Sequence, residues 1–148
     1  SVNSNMAVIG TKGIVGVVIA SSSSYATVMP VINANFTLPV RHANSKSFGR
    51  IFWDEDDTYL TATVIDVPSN VTVDVGDLIE TRGSDGMFPE GIPVGKVLSV
   101  TPVSGETYQI IKIGLVEDFG AIYNVKVIKN VKRNEQLELE KATLEKYQ

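Results

Sequence analysis

Apolar residues recur along this chain in short runs with a period of two. β-branched types dominate the runs, and turn-forming residues interrupt them at fairly even spacing. This pattern predicts an all-β fold. Within residues 58–66, Leu60, Ala62 and Val64 point one way while Tyr59, Thr61, Thr63 and Ile65 point the other, so this strand is covered in part on both faces. Tyr123, Val125 and Val127 alternate with Asn124 and Lys126, as in a surface strand. By contrast, residues 108–116 are apolar apart from Gln109, Lys112 and Gly114, as in a central one. Nine strands are predicted, over residues 13–20, 26–32, 37–42, 47–53, 58–66, 77–82, 93–100, 107–116 and 121–128.

Turn chemistry agrees with these breaks. Ser84-Asp85-Gly86 and Ser104-Gly105 supply the positive φ that reversals need, and Asp54 to Asp57 read as a solvated acidic turn after Phe52-Trp53. Pro30 and Pro39 cannot donate to a ladder, which predicts that the second and third strands are edges or are bulged there. Such kinks suit small, tightly curved barrels better than a flat sheet. From about Asn130 the texture changes. Residues 133–148 are rich in Glu, Lys and Leu, which predicts a helix starting at Asn134-Glu135. Leu137, Leu139 and Leu144 do not form a broad stripe, so a mostly solvated tail is the simpler reading and a short coiled-coil or docking helix the alternative.

With 148 residues the chain has the size of one domain or two very small ones. A compact chain of this length buries roughly 68–70% of its unfolded surface, enough for a core without staples. It contains no Cys, hence no disulfide or thiolate metal site. A net charge of −4 with no face rich in Lys and Arg argues against nucleic acid as a partner. The longest unbroken apolar run, Ile14 to Ala20 with Gly16 inside it, is far shorter than the roughly 20 residues that span a bilayer. The start at Ser1, without Met or a leader-like segment, reads as a piece of something larger, with any membrane anchor or signal expected upstream.

Candidate chemistry is sparse. The one histidine, His42, falls at a strand end, where a structural role is the ordinary one. A Ser-His-Asp constellation would need a serine on a sharp turn with an oxyanion hole, and Gly83-Ser84-Asp85-Gly86 lacks the Gly-x-Ser-x-Gly spacing. The carboxylates of Asp54, Glu55, Asp56 and Asp57 lack the glycine and closing glutamate of a calcium loop. Gly91 to Lys96 lacks the spacing and the Ser or Thr of a phosphate loop. Nothing here calls for a metal or cofactor. Asn35-Phe36-Thr37 and Asn70-Val71-Thr72 fit the glycosylation sequon, which matters only in a secreted eukaryotic protein.

The most informative feature is a repeated hairpin pattern. Thr11-Lys12-Gly13 is followed by Val15-Gly16-Val17-Val18, and Thr81-Arg82-Gly83 is followed by Val94-Gly95-Lys96-Val97. One residue, Ile14, separates the halves of the first copy, whereas Ser84 to Pro93 separate those of the second. An insertion in one of two similar hairpins adds nothing to a ladder, which marks it as a place for function. Met87, Phe88 and Pro89 within it either plug the end of a barrel or are offered to a partner as an apolar anchor. Pro89 and Pro93 hold the segment in a fixed shape in both cases.

Residues 73–83 together with residues 86–97 closely resemble the signature of MreC, the bacterial rod shape-determining family, and Gly13-Ile14-Val15-Gly16-Val17-Val18 resembles an upstream hairpin of that family. The likeness rests on Gly13, Gly16, Gly76, Asp77, Gly83, Gly86, Gly91, Pro93 and Gly95, as structural positions of the signature. It implies two small antiparallel β-barrels in a chymotrypsin-like arrangement without catalytic residues, followed by a short helical or disordered tail. In this chain the barrels would be residues 1–56 and 57–129. The first is expected to be incomplete because Ser1 to Asn5 are too few to supply a further strand pair, and residues 130–148 form the charged tail. The resemblance further implies a non-enzymatic scaffold of the cell-elongation machinery on the periplasmic side of the inner membrane. Such a scaffold self-associates and binds a penicillin-binding transpeptidase, with MreD and the MreB system as further partners. Two other classes compete with it. A degenerate hydrolase would require His42 within hydrogen-bond reach of a Ser and an Asp, and a glycan-binding barrel would require exposed aromatics such as Trp53 and Tyr59 on one concave face.

Overall fold

The computed structural model of the chain describes residues 2–84, 86–122 and 124–128. Ten strands make up its regular structure: β1 (Ala7–Ile9), β2 (Ile14–Ser21), β3 (Ala26–Pro30), β4 (Thr37–His42), β5 (Phe48–Phe52), β6 (Thr61–Pro68), β7 (Leu78–Thr81), β8 (Pro93–Pro102), β9 (Tyr108–Leu115) and β10 (Lys126–Ile128). The described residues contain no helix. The nine strands expected from periodicity correspond to β2–β10, the last of them shortened to three residues. β1 escaped notice because three residues are too few to display a period. The helix expected over residues 133–148 lies outside the described residues.

Hydrogen bonding divides the strands into two groups. β10, β1, β2 and β3 form a four-stranded sheet in that order, and β4-β5-β6-β9-β8-β7 close into a six-stranded barrel. Closure comes from the antiparallel pairing of β4 with β7, in which Val40 faces Thr81 and His42 faces Ile79. The expected division between residues 56 and 57 therefore cuts across the barrel. β4 and β5 pair with β7 and β6, and β10 pairs with β1. The expected all-β architecture of two antiparallel units is present among the described residues as a closed six-stranded barrel and a second, four-stranded sheet.

β3 is an edge strand, as Pro30 requires. The same expectation fails for Pro39, because β4 has a neighbour on each side. Its ladder to β7 begins only at Val40, and the Pro39 carbonyl accepts the Arg82 N–H at 3.2 Å. In an extended strand the N–H and C=O of one residue point the same way. The missing donor thus falls on the β7 side, opposite Arg82 at the end of the ladder, where it leaves the rest of the pairing intact.

β-branched and Leu side chains fill the barrel, with Leu38, Val40, Ile51, Val64, Ile111 and Ile113 all buried. Fully burying one such side chain contributes about 1.5–3 kcal/mol. The same apolar cluster continues into the sheet through Ala7, Ile14, Val17, Val31 and Phe36. Val8, Val15 and Val18 form a second cluster, covered by Phe119 and Ile122 from the segment after β9. β1 and β2 are thus packed on both sides, which accounts for the uninterrupted Ile14-Val15-Gly16-Val17-Val18 run.

Candidate functional site

The β7–β8 hairpin carries the insertion, and one buried hydroxyl organises it. Thr81 Oγ1 donates to the Pro89 carbonyl at 2.7 Å and accepts the Ile92 N–H at 2.9 Å, while the Thr81 backbone exchanges bonds with Gly91 and Ile92. Gly83 and Gly91 turn the chain at either end with φ of +85°, a conformation that L side chains adopt only with strain. A Cβ at Gly83 would also press on the Glu90 backbone. On the barrel exterior, Arg41 reaches Glu80 at 3.3 Å and Glu90 at 3.4 Å, which fastens the loop to the wall.

This frame decides between the two readings of the insertion. Phe88 is 0% exposed and belongs to the barrel core, while Met87 packs against that core and is half-buried like Pro89. The Phe88 ring fills the end of the barrel, the position of a plug. The physical reason is the tight Thr81 clasp, which folds the loop inward over the barrel end.

Asp77, the signature carboxylate, closes the turn before β7. Its Oδ2 accepts the Asp74 N–H at 2.9 Å and lies 2.8 Å from His42 Nε2. The Asp74 N–H first and His42 second hold this carboxyl below the usual carboxylate range. On the other side of the ring, His42 Nδ1 lies 2.7 Å from Ser45 Oγ, which also accepts the Ser47 N–H at 3.1 Å. An anionic Asp77 draws the ring proton to Nε2, so Nδ1 accepts from the Ser45 hydroxyl. His42 therefore meets the distance requirement set for a hydrolase, with Ser and Asp on opposite nitrogens. The remaining geometry is that of a clamp. The imidazole is 1% exposed, Ser45 belongs to the same tight β4–β5 turn, and the ring ties that turn to the one before β7.

Two further carboxylates are built into the fold, and sequence reasoning missed both. Asp57, expected in a solvated turn, has a fully buried side chain. It accepts from the Asp54 N–H, the Thr61 and Thr63 hydroxyls and Lys112 Nζ, each at 2.8–2.9 Å. Burial alone would raise its pKa, but Lys112 and the other three donors outweigh burial and hold the carboxyl low. Lys112 also reaches Asp56 and Thr63. The second carboxylate, Glu117, accepts the N–H groups of Lys12 and Gly13 at 2.6 and 2.9 Å, filling the β1–β2 turn from beyond β9. Asp57 is hidden within an acidic run and its cation comes from 55 residues away, while Glu117 has partners 104 and 105 residues away, so no local pattern marks either.

The signature residues occupy several separate places. Gly16 allows the Met29 carbonyl of β3 to approach, Gly13 the Pro93 carbonyl at the start of β8, and Gly95 the Gly114 carbonyl of β9. Gly76 lies in the Asp74–Asp77 turn and Gly86 in the insertion. These positions set backbone packing and do not converge on one cleft. Of the two candidate sugar-stacking aromatics, Tyr59 is exposed, whereas Trp53 is half-buried and donates its indole N–H to the Thr58 carbonyl at 2.9 Å. Among the described residues no three His, Asp or Glu side chains are grouped to hold a metal ion.

Comparison with known proteins adds the following. The family model described as rod shape-determining protein MreC, barrel core, matches residues 1–129. The cell shape-determining protein MreC of Bacillus subtilis is 35% identical over 88 residues, covering 57% of this chain and 29% of that protein. The chain therefore spans less than a third of the length of this relative. MreC of Listeria monocytogenes superposes with a TM-score of 0.80 at 25% identity, covering 88% of this chain and 63% of that one. A chain from the solved complex between Penicillin-Binding Protein (PBP2) and MreC of Helicobacter pylori superposes with a TM-score of 0.63 at 18% identity, covering 80% and 72%. With the closed barrel, the signature hairpin and a family match over nearly its whole described length, the chain belongs to the MreC family of rod shape-determining proteins.

Proposed function

We propose that this chain is a periplasmic scaffold module of the bacterial cell-elongation machinery, without enzymatic activity of its own, that binds a penicillin-binding transpeptidase. The observation that carries the reading is the likeness in fold to a solved assembly of MreC with a penicillin-binding protein. The module itself supports it: its barrel is filled by side chains, which leaves walls, edges and loops for recognition. In this reading the module also self-associates, MreD and the MreB system are further partners, and an anchor outside this chain holds it at the inner membrane.

The degenerate hydrolase has one specific observation in its favour, the contact of His42 with Ser45 and Asp77. One substitution separates the two readings. In cells whose only copy of the full-length protein carries Ser45→Ala, the scaffold reading expects rods with wild-type width by microscopy. Deletion of this module should give round cells. Rounding caused by a stably folded Ser45→Ala protein would instead point to a nucleophile.

A further inference from the structure

All three arginines among the described residues lie on one outer face of the barrel, across β5, β4 and β7. Arg41 is paired in register with Phe48 on one side and Glu80 on the other. Strand alternation places Arg50 on that same exterior, and Arg82 extends over it from the end of β7. Two properties set this face apart. Phe48 is a large apolar side chain left 47% exposed, and the Arg82 guanidinium lies 3.5 Å above its ring centre. Arg41 is neutralised by Glu80 and Glu90, but among the described residues Arg82 has no carboxylate partner, and Arg50 donates only to Thr37 Oγ1 at 3.1 Å. With Lys46 the face carries, among the described residues, four cations against two carboxylates, on a chain whose net charge is −4.

We propose that this face, centred on Phe48, Arg50 and Arg82, is a docking surface for an extended acidic segment of a partner protein, in which carboxylates are spaced by apolar side chains. Stacking on Phe48 fixes the plane of the Arg82 guanidinium and leaves its N–H edges available, the geometry that grips a carboxylate in bidentate fashion. The exposed remainder of the Phe48 ring accepts an apolar neighbour, and Phe and Arg are the residue types that anchor such interfaces. Glu80 and Glu90 stand between the cations. They would repel a uniformly anionic surface such as a bilayer, and they leave room for negative charges only at the two arginines.

The inference rests on the scaffold reading, and two sets of titrations keep the two apart. The probes are an acetylated Glu-Leu-Glu-Phe-Glu-Leu peptide, its counterpart with Lys in place of Glu, and phosphatidylglycerol vesicles, each followed by amide chemical shifts of the folded chain. The acidic peptide should shift signals of β4, β5 and β7. Arg82→Gln and Phe48→Ala should each weaken it about tenfold, while Lys96→Gln on β8 leaves it unchanged. Equal binding of the Lys peptide, tighter binding of the vesicles, or no acidic-peptide binding by a chain that still binds the transpeptidase would overturn the docking surface alone. Binding of the acidic peptide to this face by a chain that does not bind the transpeptidase would overturn the scaffold's partner alone.

Discussion

Asp57 is the clearest case of a residue whose role runs against its appearance. In the run Asp54-Glu55-Asp56-Asp57 it looks like solvated charge, yet its carboxylate is buried with four donors. Removing it strands those donors, so Asp57→Ala should cost roughly 3 kcal/mol in urea denaturation, against little for Glu55→Ala on the exposed side of the turn. The pH dependence follows from the same carboxyl and from Asp77. Both are held below their ordinary values, so their contribution is complete above the unfolded pKa of about 4 and is lost as pH falls through the lower folded values. Melting temperature should stay level from neutral pH to about 5 and fall in more acid solution, less steeply for Asp57→Ala. Burial alone would lower the Lys112 pKa, but Asp57 and Asp56 raise it, so its part persists until the pH passes its folded value in strong base. Phe88 makes the opposite point. Its apolar character was plain in the sequence, but whether it faced in or out depended on the Thr81 clasp. Phe88→Ala should destabilise by about 3–5 kcal/mol in the same assay, which disqualifies any disruptive change at Phe88 as a probe of binding.

At the level of elements, strands with a long period-two or apolar pattern were legible. β6 and β9 fall within a few residues of expectation, and β9 is central, flanked by β6 and β8. What holds one element to another was not legible. The carboxylate of Glu117 fills the β1–β2 turn from 104 residues away, and nothing near either segment announces the pairing. Glu117→Gln weakens and Glu117→Ala removes the acceptor for two N–H groups. Faster hydrogen exchange at Lys12 and Gly13 should therefore accompany a loss of roughly 1–3 kcal/mol for the alanine. The signature glycines act at this scale too. A methyl at Gly16 collides with the Met29 backbone of β3, whereas one at Gly114 meets only the Leu98 side chain at 3.5 Å. Gly16→Ala should cost about 1–3 kcal/mol by overpacking, and Gly114→Ala should lie close to wild type in the same unfolding experiment.

The whole molecule is defined by a closure that periodicity does not encode. Short alternating runs establish strands and a curved all-β architecture, but β4 pairs with β7 and β10 with β1 across long stretches of chain. A division by sequence order therefore split one barrel in two. The family signature was readable because its glycines answer close backbone approach, as at Gly13, Gly16 and Gly95, or positive φ, as at Gly76, Gly83, Gly86 and Gly91, and Asp77 closes a turn, whereas the proposed docking face is spread over Phe48, Arg50 and Arg82 and leaves no contiguous motif. The module is a filled barrel with a patterned exterior. The most direct test of its role is calorimetric titration of the folded chain with the purified periplasmic part of the transpeptidase from the same bacterium. A scaffold gives saturable binding that Ser45→Ala leaves unchanged; a folded chain that releases no heat of binding at any accessible concentration, and shows no complex on sizing, would contradict it.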